Sequence, residues 1–339
     1  MANLPQIGLD IGSASIKLVE LVPAGSGKWK LMTAASASAA GVAMSEKANL
    51  GSLAQTVAKM VREAGARSRR VIASLPEEKV STHLVELPVL ADSEIAQALT
   101  WQVEQYIPMP MDQAVWSYQL VKKDAAGGKM EVLLVAAAKI LVEAYRQVIE
   151  TAGLEAVAFE TELMATARST MLPNSPLTAV VDIGAGSTDI GVARTGVLLF
   201  ARTVAAAGQA FTRAIATTLG LDTSQAESYK NTYGFSNQHL EGKLLAAMKP
   251  VLDVISAEVR KTIDFYISKH PGETVKSVVL AGGVAALPDV VSALSANLGL
   301  EVVVGNPLVR VEVDQSQAAA LKGHEPFYAV AVGLAERDD

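Results

Sequence analysis

At 339 residues, half of them hydrophobic, the chain is long enough to fill two domain cores. A formal net charge of −6 argues against a nucleic-acid partner, the lack of Cys removes disulfides, thiolate catalysis and Cys metal sites, and His83, His239, His270 and His324 lie too far apart in sequence to suggest a His site. The longest uninterrupted apolar stretch, Val132 to Ala138, is far too short to span a bilayer, and no basic segment followed by an apolar one opens the chain, so neither a membrane span nor a secretory signal is expected.

The opening stretch Ile7-Gly8-Leu9-Asp10-Ile11-Gly12-Ser13-Ala14-Ser15-Ile16-Lys17 predicts a β-hairpin, with strands over 7–11 and 16–22. Gly25-Ser26-Gly27 marks a second turn and Trp29 to Thr33 a third strand. Leu53, Val57, Met60, Val61 and Ala64 share a helical face, predicting a helix over 50–64. The dense basic run Arg67, Arg69 and Arg70 reads as a solvated turn before a strand over 71–75 that closes the first half-sheet. Val80 to Leu87 alternates like a strand and Pro88 punctuates it. Asp92 or Ser93 then caps a helix that runs to Tyr106, where Ile107-Pro108-Met109-Pro110 stops it. Strands over 115–121 and 130–138 pair around Asp124-Ala125-Ala126-Gly127-Gly128, and a helix from 140 to 152 ends at Gly153.

A second long helix over 160–171 precedes Pro173 and Pro176, which mark the best domain boundary. The plan then repeats, with a hairpin over 178–193, a strand over 197–204 and helices from 207 to 269. A strand over 276–281, a helix over 288–298, a strand over 301–304 and an Ala-rich helix over 325–336 complete the chain. Two sheet-plus-helix halves with a cleft between them are what a duplicated clamp needs.

The second hairpin repeats the first: Val180-Val181-Asp182-Ile183-Gly184-Ala185-Gly186-Ser187-Thr188-Asp189 is again an apolar strand ending in Asp, then a Gly/Ser turn. Such turns let backbone N–H groups approach a phosphate closely and form anion-binding nests. The Asp ending each first strand suits water on Mg²⁺, which takes few carboxylates and keeps several waters. Asp-x-Gly after an apolar strand is also ordinary hairpin chemistry. The pairing of two copies, followed by the Gly-Gly turn of Val278-Val279-Leu280-Ala281-Gly282-Gly283-Val284, favours a nucleotide clamp.

This order of turns resembles the actin-like ATPase superfamily, which includes actin, sugar kinases, DnaK-type chaperones and FtsA, over essentially the whole chain. The resemblance implies an α/β, duplicated actin-like (ribonuclease H-like) ATPase fold, with two domains around a nucleotide cleft and an FtsA-like inserted subdomain. It implies ATP or ADP with Mg²⁺. Asp10 and Asp182 would then order Mg²⁺-bound water. Gly12, Ser13, Ala14 and Ser15 would wrap the phosphates from one side, and Gly184, Ala185, Gly186, Ser187 and Thr188 from the other, with Lys17 neutralising their charge. Within Ala226-Glu227-Ser228-Tyr229-Lys230, Glu227 and Lys230 would bracket ribose and base, with Gly282, Gly283 and Val284 against the adenosine. Glu162 would orient an attacking water. Plainer readings stand beside these: a solvent-facing edge lysine for Lys17, a surface ion pair for Glu227 and Lys230, and a helix-start acid favoured by the macrodipole for Glu162.

Glu94 to Pro110, with its Glu-x-x-Tyr-Ile-Pro-x-Pro ending, looks like the signature of the PilM family of type IV pilus assembly. The opening hairpin, Val279 to Ala285 with Leu287-Pro288, and the ending Ala329 to Ala335 also fit. Ala14 replaces a more usual hydroxyl residue and Thr161 to Met164 matches loosely, which implies ATP binding with weak or absent hydrolysis. The resemblance further implies a cytoplasmic protein, peripheral to the inner membrane through its partners, that holds the N-terminal cytoplasmic peptide of the membrane protein PilN. The groove would lie between residues 80–150 and the first domain, where Trp101, Tyr106, Ile107 and Met109 are either groove-filling or core of the small subdomain. Other platform proteins and the assembly ATPases are further partner candidates, and self-association stays open. The division expected is a first domain from 1–79, 153–175 and 323–339, an inserted subdomain 80–152, and a second domain from 176–205, a helical subdomain 206–272, and 273–322. Two alternatives stand: an FtsA-like division or cytoskeletal protein, disfavoured by the acidic ending Glu336-Arg337-Asp338-Asp339, and a small-molecule kinase, for which no substrate-pocket motif is found.

Overall fold

The computed structural model describes residues 4–39, 49–124 and 127–338, excepting the side chains of Trp101 and Gln102. The elements of its first part are β1 (Gln6–Ile11), β2 (Ser15–Gly25), β3 (Lys28–Ser38), α1 (Leu50–Ala64), β4 (Arg70–Leu75), β5 (Val80–Pro88), α2 (Asp92–Tyr106), β6 (Ala114–Asp124), β7 (Lys129–Ala138), α3 (Lys139–Thr151), β8 (Glu155–Thr161) and α4 (Glu162–Thr170). The second part has β9 (Thr178–Ile183), β10 (Thr188–Arg194), β11 (Val197–Val204), α5 (Gly208–Leu219), α6 (Thr223–Tyr233) and α7 (Lys243–Lys269). It continues through β12 (Ser277–Ala281), α8 (Val290–Leu298), β13 (Glu301–Val304), β14 (Val311–Glu312), α9 (Gln315–Leu321) and α10 (Ala329–Ala335). Residues 125, 126 and 339, on which parts of the sequence reading rest, lie outside the described residues.

The first sheet has the order β14-β3-β2-β1-β4-β8 and the second β11-β10-β9-β12-β13. In each, the first three strands form antiparallel pairs, and two further strands add parallel to the first. Strand for strand, β3-β2-β1-β4-β8 repeats as β11-β10-β9-β12-β13, so the duplication visible in two turns extends to whole sheets. β1 and β9 are buried along their full length, as expected of apolar strands covered on both faces.

On one face of the first sheet, Leu53, Val57 and Met60 of α1 meet Tyr145, Val148 and Ile149 of α3 in a single cluster. On the second sheet, α5, α7 and α8 contribute Phe211, Ile255, Val259 and Leu294 to the largest core. The two connecting helices lie between the halves, with α10 on β1, β2 and β4 and α4 on β9, β10 and β11. They cross where Gly333 meets Ala165: a Cβ on Gly333 would overlap the Ala165 carbonyl, so only glycine permits this approach.

Between β4 and α3 the chain builds a separate antiparallel sheet, β5-β7-β6. Its two faces follow the strand period of two. Met130, Val132 and Leu134 of β7 face α2, joining Ile95, Leu99 and Val103, whereas Leu133 packs with Leu163 and Met171 around α4 and with Val180 of β9. Among the described residues no helix is long and apolar enough to cross a membrane.

The expected elements differ from the observed ones at several points. The helix expected over 160–171 begins only at Glu162, because residues 155–161 form β8, parallel to β4. The strand over 71–75 is therefore internal rather than closing the sheet. Neither Asp92 nor Ser93 caps α2: Ala91 holds that place, and its N–H donates to the Glu94 carboxylate at 2.9 Å. The last helix divides into a 3₁₀ turn, Glu325–Tyr328, and α10. β14 and α9 had no sequence signal, β14 being two residues that pair only with distant β3.

Candidate nucleotide site

The two hairpin turns are built alike. Gly12 N–H donates to the Ser15 carbonyl and Gly184 N–H to the Ser187 carbonyl, each at 3.0 Å. Ala39 N–H braces the first turn through the Ala14 carbonyl at 3.0 Å. The start of α5 braces the second, where Gly208 and Gln209 N–H donate to the carbonyls of Gly184 and Ala185 at 3.0 and 2.9 Å. The turns face one another: a Cβ on Gly186 would stand 3.1 Å from Ser13 Oγ.

Behind the turns lies a buried charged cluster. Lys17 Nζ donates to Asp10 Oδ2 at 2.9 Å and sits 4.8 Å from the centroid of the Phe327 ring. Ser74 Oγ donates to Asp10 Oδ1 at 2.9 Å, and Thr166 Oγ1 to Asp182 Oδ2 at 3.3 Å. The second hairpin places Asp189 opposite Asp182, where the first places Lys17 opposite Asp10. Asp189 accepts from Thr203 Oγ1 at 2.6 Å. Glu162, the first residue of α4, accepts from Glu77 N–H at 3.1 Å.

Burial would lower the Lys17 pKa, but the carboxylates of Asp10, Asp182 and Glu162 outweigh it and raise the ammonium above its ordinary value. Asp182 is pushed up to about 7, first by burial and then by Asp189, against the pull of Lys17. Asp189 is pushed up to about 6 by burial, despite the hydroxyls of Thr203 and Ser187. Glu162 is held well above the usual carboxylate range by burial, then by Asp10 and Asp189. Carboxyls thus outnumber the cation that faces them. No group of three or more His or acidic side chains forms a metal cage among the described residues. That donor set fits an ion held largely through water and phosphate, as Mg²⁺ is, rather than by protein alone.

Glu227 and Lys230, expected at ribose and base, lie on α6 against α5. Lys230 Nζ donates to the Gly208 carbonyl at 3.2 Å, to Thr212 Oγ1 at 2.9 Å and to Glu227 Oε2 at 2.7 Å. All three ammonium donors are thereby engaged within the chain, and Lys230 is buried while the Glu227 side chain is about half exposed. Gly282 adopts φ +82°, and a Cβ there would strike the Asp182 carboxylate and the Ile183 carbonyl. The Val284 side chain belongs to the second core. The Thr188 hydroxyl is committed to the Ala206 carbonyl at 2.6 Å.

The fold therefore brings Asp10, Lys17, Glu162 and Asp182 into one electrostatic cluster behind the two facing turns. Sequence reasoning missed Ser74, Glu77, Thr166, Asp189 and Phe327. Asp189 had a signal, since it is the counterpart of Lys17 in the repeated hairpin, whereas the others come from remote segments. Of the aromatic and apolar residues considered for a peptide groove, Ile107 is instead core of the inserted subdomain, and Tyr106 and Met109 pack against that core.

The family model of the type IV pilus assembly protein PilM matches residues 8–339. The chain belongs to the PilM family. The solved PilM–PilN type IV pilus biogenesis complex is similar at 28% identity and a TM-score of 0.83, covering 98% of this chain and 98% of that one. The cell division protein FtsA of Bacillus subtilis (strain 168) is 26% identical over 214 residues, 55% of this chain but only 47% of FtsA, so the match spans about half of that relative's length. MreB5 of Spiroplasma citri, solved bound to ADP, shares the fold at 12% identity, with a TM-score of 0.56 over 98% of this chain and 95% of that one. The expected actin-like α/β architecture is the one observed, and the PilM family accounts for it over almost the full sequence.

Proposed function

We propose that this PilM-family chain is a nucleotide-binding component of the type IV pilus inner-membrane assembly platform, and that it binds the N-terminal cytoplasmic peptide of PilN. The observation that carries the nucleotide reading is the pair of like-built turns, Gly12–Ser15 and Gly184–Ser187, with Ser13 against Gly186 and a buried Asp at the base of each. Their backbone N–H groups would take the phosphates of ATP or ADP. Lys17 would exchange its bond to Asp10 for one to phosphate, and Asp10 and Asp182 would accept from metal-bound water. Mg²⁺, when bound, supplies the positive charge that both phosphates and carboxylates need. Glu227 and the backbone of Gly282, Gly283 and Val284 would receive the nucleoside. Glu162 is the candidate for orienting an attacking water. A chain of this kind would sit at the inner membrane through its partners, on its cytoplasmic side.

The PilN reading is supported by the likeness to the PilM–PilN complex at 28% identity across both chains. The test is a calorimetric titration with Mg-ATP and, separately, with the N-terminal peptide of the cognate PilN, for wild type and Asp182→Ala. Binding of both ligands, with loss of ATP alone in Asp182→Ala, is the expected result. ATP binding without peptide binding would overturn the partner assignment, and peptide binding without ATP the nucleotide clamp.

A further inference from the structure

The turn Glu77–Lys79 is the step from β4, a strand of the first domain's sheet, into β5, the first strand of the inserted subdomain. Two hydrogen bonds tie it to the start of α4. Glu77 N–H donates to Glu162 Oε2, and Leu163 N–H donates to Glu77 Oε2, each at 3.1 Å. The second bond satisfies a first-turn N–H that has no partner within α4, and it lies in the interior, where an unmet donor is costly. Glu77 itself is only 5% exposed. Its other oxygen, Oε1, is buried with no hydrogen-bond partner among the described residues. Glu77 also borders a cleft of about 410 Å³, shared with Thr82 of β5 and with Ala201 and Thr203 of β11. Thr203 is the residue whose hydroxyl holds Asp189.

We propose that Glu77 is a positioning residue, clasping Glu162 and Leu163 at the start of the linking helix α4 so that the nucleotide cleft and the inserted subdomain respond to one another. The chain of parts is continuous. Glu162 lies in the charged cluster with Asp10 and Asp182, Glu77 holds Glu162, and β5 begins where the Glu77 turn ends. Leu84 of β5 and Leu133 of β7 then pack with α4 and the second sheet, so a shift at the clasp reaches the insert through both backbone and packing. Burial, and next the charge on Asp189, push Glu77 up to about 8. The bond to Glu162 comes from the Glu77 backbone N–H and survives either substitution. The bond from Leu163 N–H ends on the carboxyl, neutral near pH 7, which Gln reproduces and Ala does not, so Glu77→Ala opens the clasp on its Leu163 side.

The proposal rests on reading the cleft as a nucleotide site and the insert as part of the PilN-binding face. It is tested by measuring the affinity of the PilN N-terminal peptide with and without Mg-ATP, for wild type, Glu77→Gln and Glu77→Ala. Coupling between sites is commonly about 5- to 150-fold. A peptide affinity ratio of at least about fivefold in wild type and Glu77→Gln, falling to about one in Glu77→Ala while Mg-ATP still binds, is the expected result. Retention of the wild-type ratio in Glu77→Ala overturns the role of Glu77. Binding of both ligands with a wild-type ratio of one overturns the coupling and leaves the nucleotide reading standing. Failure of wild type to bind Mg-ATP removes that reading and this proposal together. Amide hydrogen exchange of wild type is the second measurement, and needs no variant to fold. The Leu163 amide should change its protection when Mg-ATP is added and when the peptide is added, and no change on either addition overturns the clasp.

Discussion

Replacing Asp182 by Asn should stabilise the empty protein while abolishing Mg-nucleotide binding. Asp182 is 9% exposed, and burial with the facing Asp189 pushes its pKa from an ordinary 3.8 to about 7. The folded chain therefore holds a proton on this group that the unfolded chain releases between about pH 4 and 7. Stability is present below that window and is lost as pH rises through it, because the unfolded state binds fewer protons there. At about 1.4 kcal/mol per tenfold change in proton affinity, the full loss is on the order of 4 kcal/mol by pH 8, of which roughly 2–3 kcal/mol falls between pH 5 and 8. Asn keeps an oxygen for the Thr166 hydroxyl and carries no charge to desolvate. Urea unfolding in EDTA without nucleotide, at pH 5 and pH 8, reads the effect directly. The variant should be more stable than wild type at pH 8, and the gap should narrow by roughly 2–3 kcal/mol at pH 5. Glu77, Asp189 and Glu336 have raised pKa values too, so the variant keeps a residual decline of the same sign. Parallel pH profiles for the two proteins, or a variant less stable at pH 8, would refute the electrostatic reasoning. Calorimetry on the same samples should show that Mg-ATP no longer binds the variant.

Three further outcomes follow from particular contacts. Gly282→Ala places a side chain at φ +82° and against the Asp182 carboxylate, and should cost about 2–4 kcal/mol from strain and overpacking together, read as a lowered melting temperature. Gly333→Val drives a branched side chain into the Ala165 carbonyl where α10 crosses α4; a loss of about 1–3 kcal/mol or more is expected by denaturant midpoint, and an unchanged midpoint would mean the helices are not packed this closely. Lys17→Ala removes the cation that now holds Asp10, and should weaken Mg-ATP by about 10- to 100-fold, the range of a charge-assisted hydrogen bond. An unchanged dissociation constant there would place Lys17 outside the phosphate site.

Local pattern was enough for much of this molecule. The helix expected over 50–64 is α1 to the residue, because its apolar face repeats at helical spacing and Gly65 ends it in the left-handed conformation. The opening hairpin, the paired strands around residue 125 and the repeated Asp-Gly turns were legible for the same reason: each is made by residues close in sequence. So was the PilM family, carried by a contiguous stretch from Glu94 to Pro110. Tertiary structure decided what depends on distant partners. Residues 155–161 become β8 because β4, some eighty positions earlier, offers a parallel edge, and that pairing outweighs the helical reading of their last residues. Glu77 and Glu162 find each other only after the insert between them has folded aside. The charge state of the site belongs to the fold as well. Asp182, Asp189 and Glu162 are ordinary acids in the sequence. Burial against one another, which for Asp182 outweighs the opposing pull of Lys17, is what makes them reluctant to ionise, because desolvation and like-charge repulsion act through space and not along the chain.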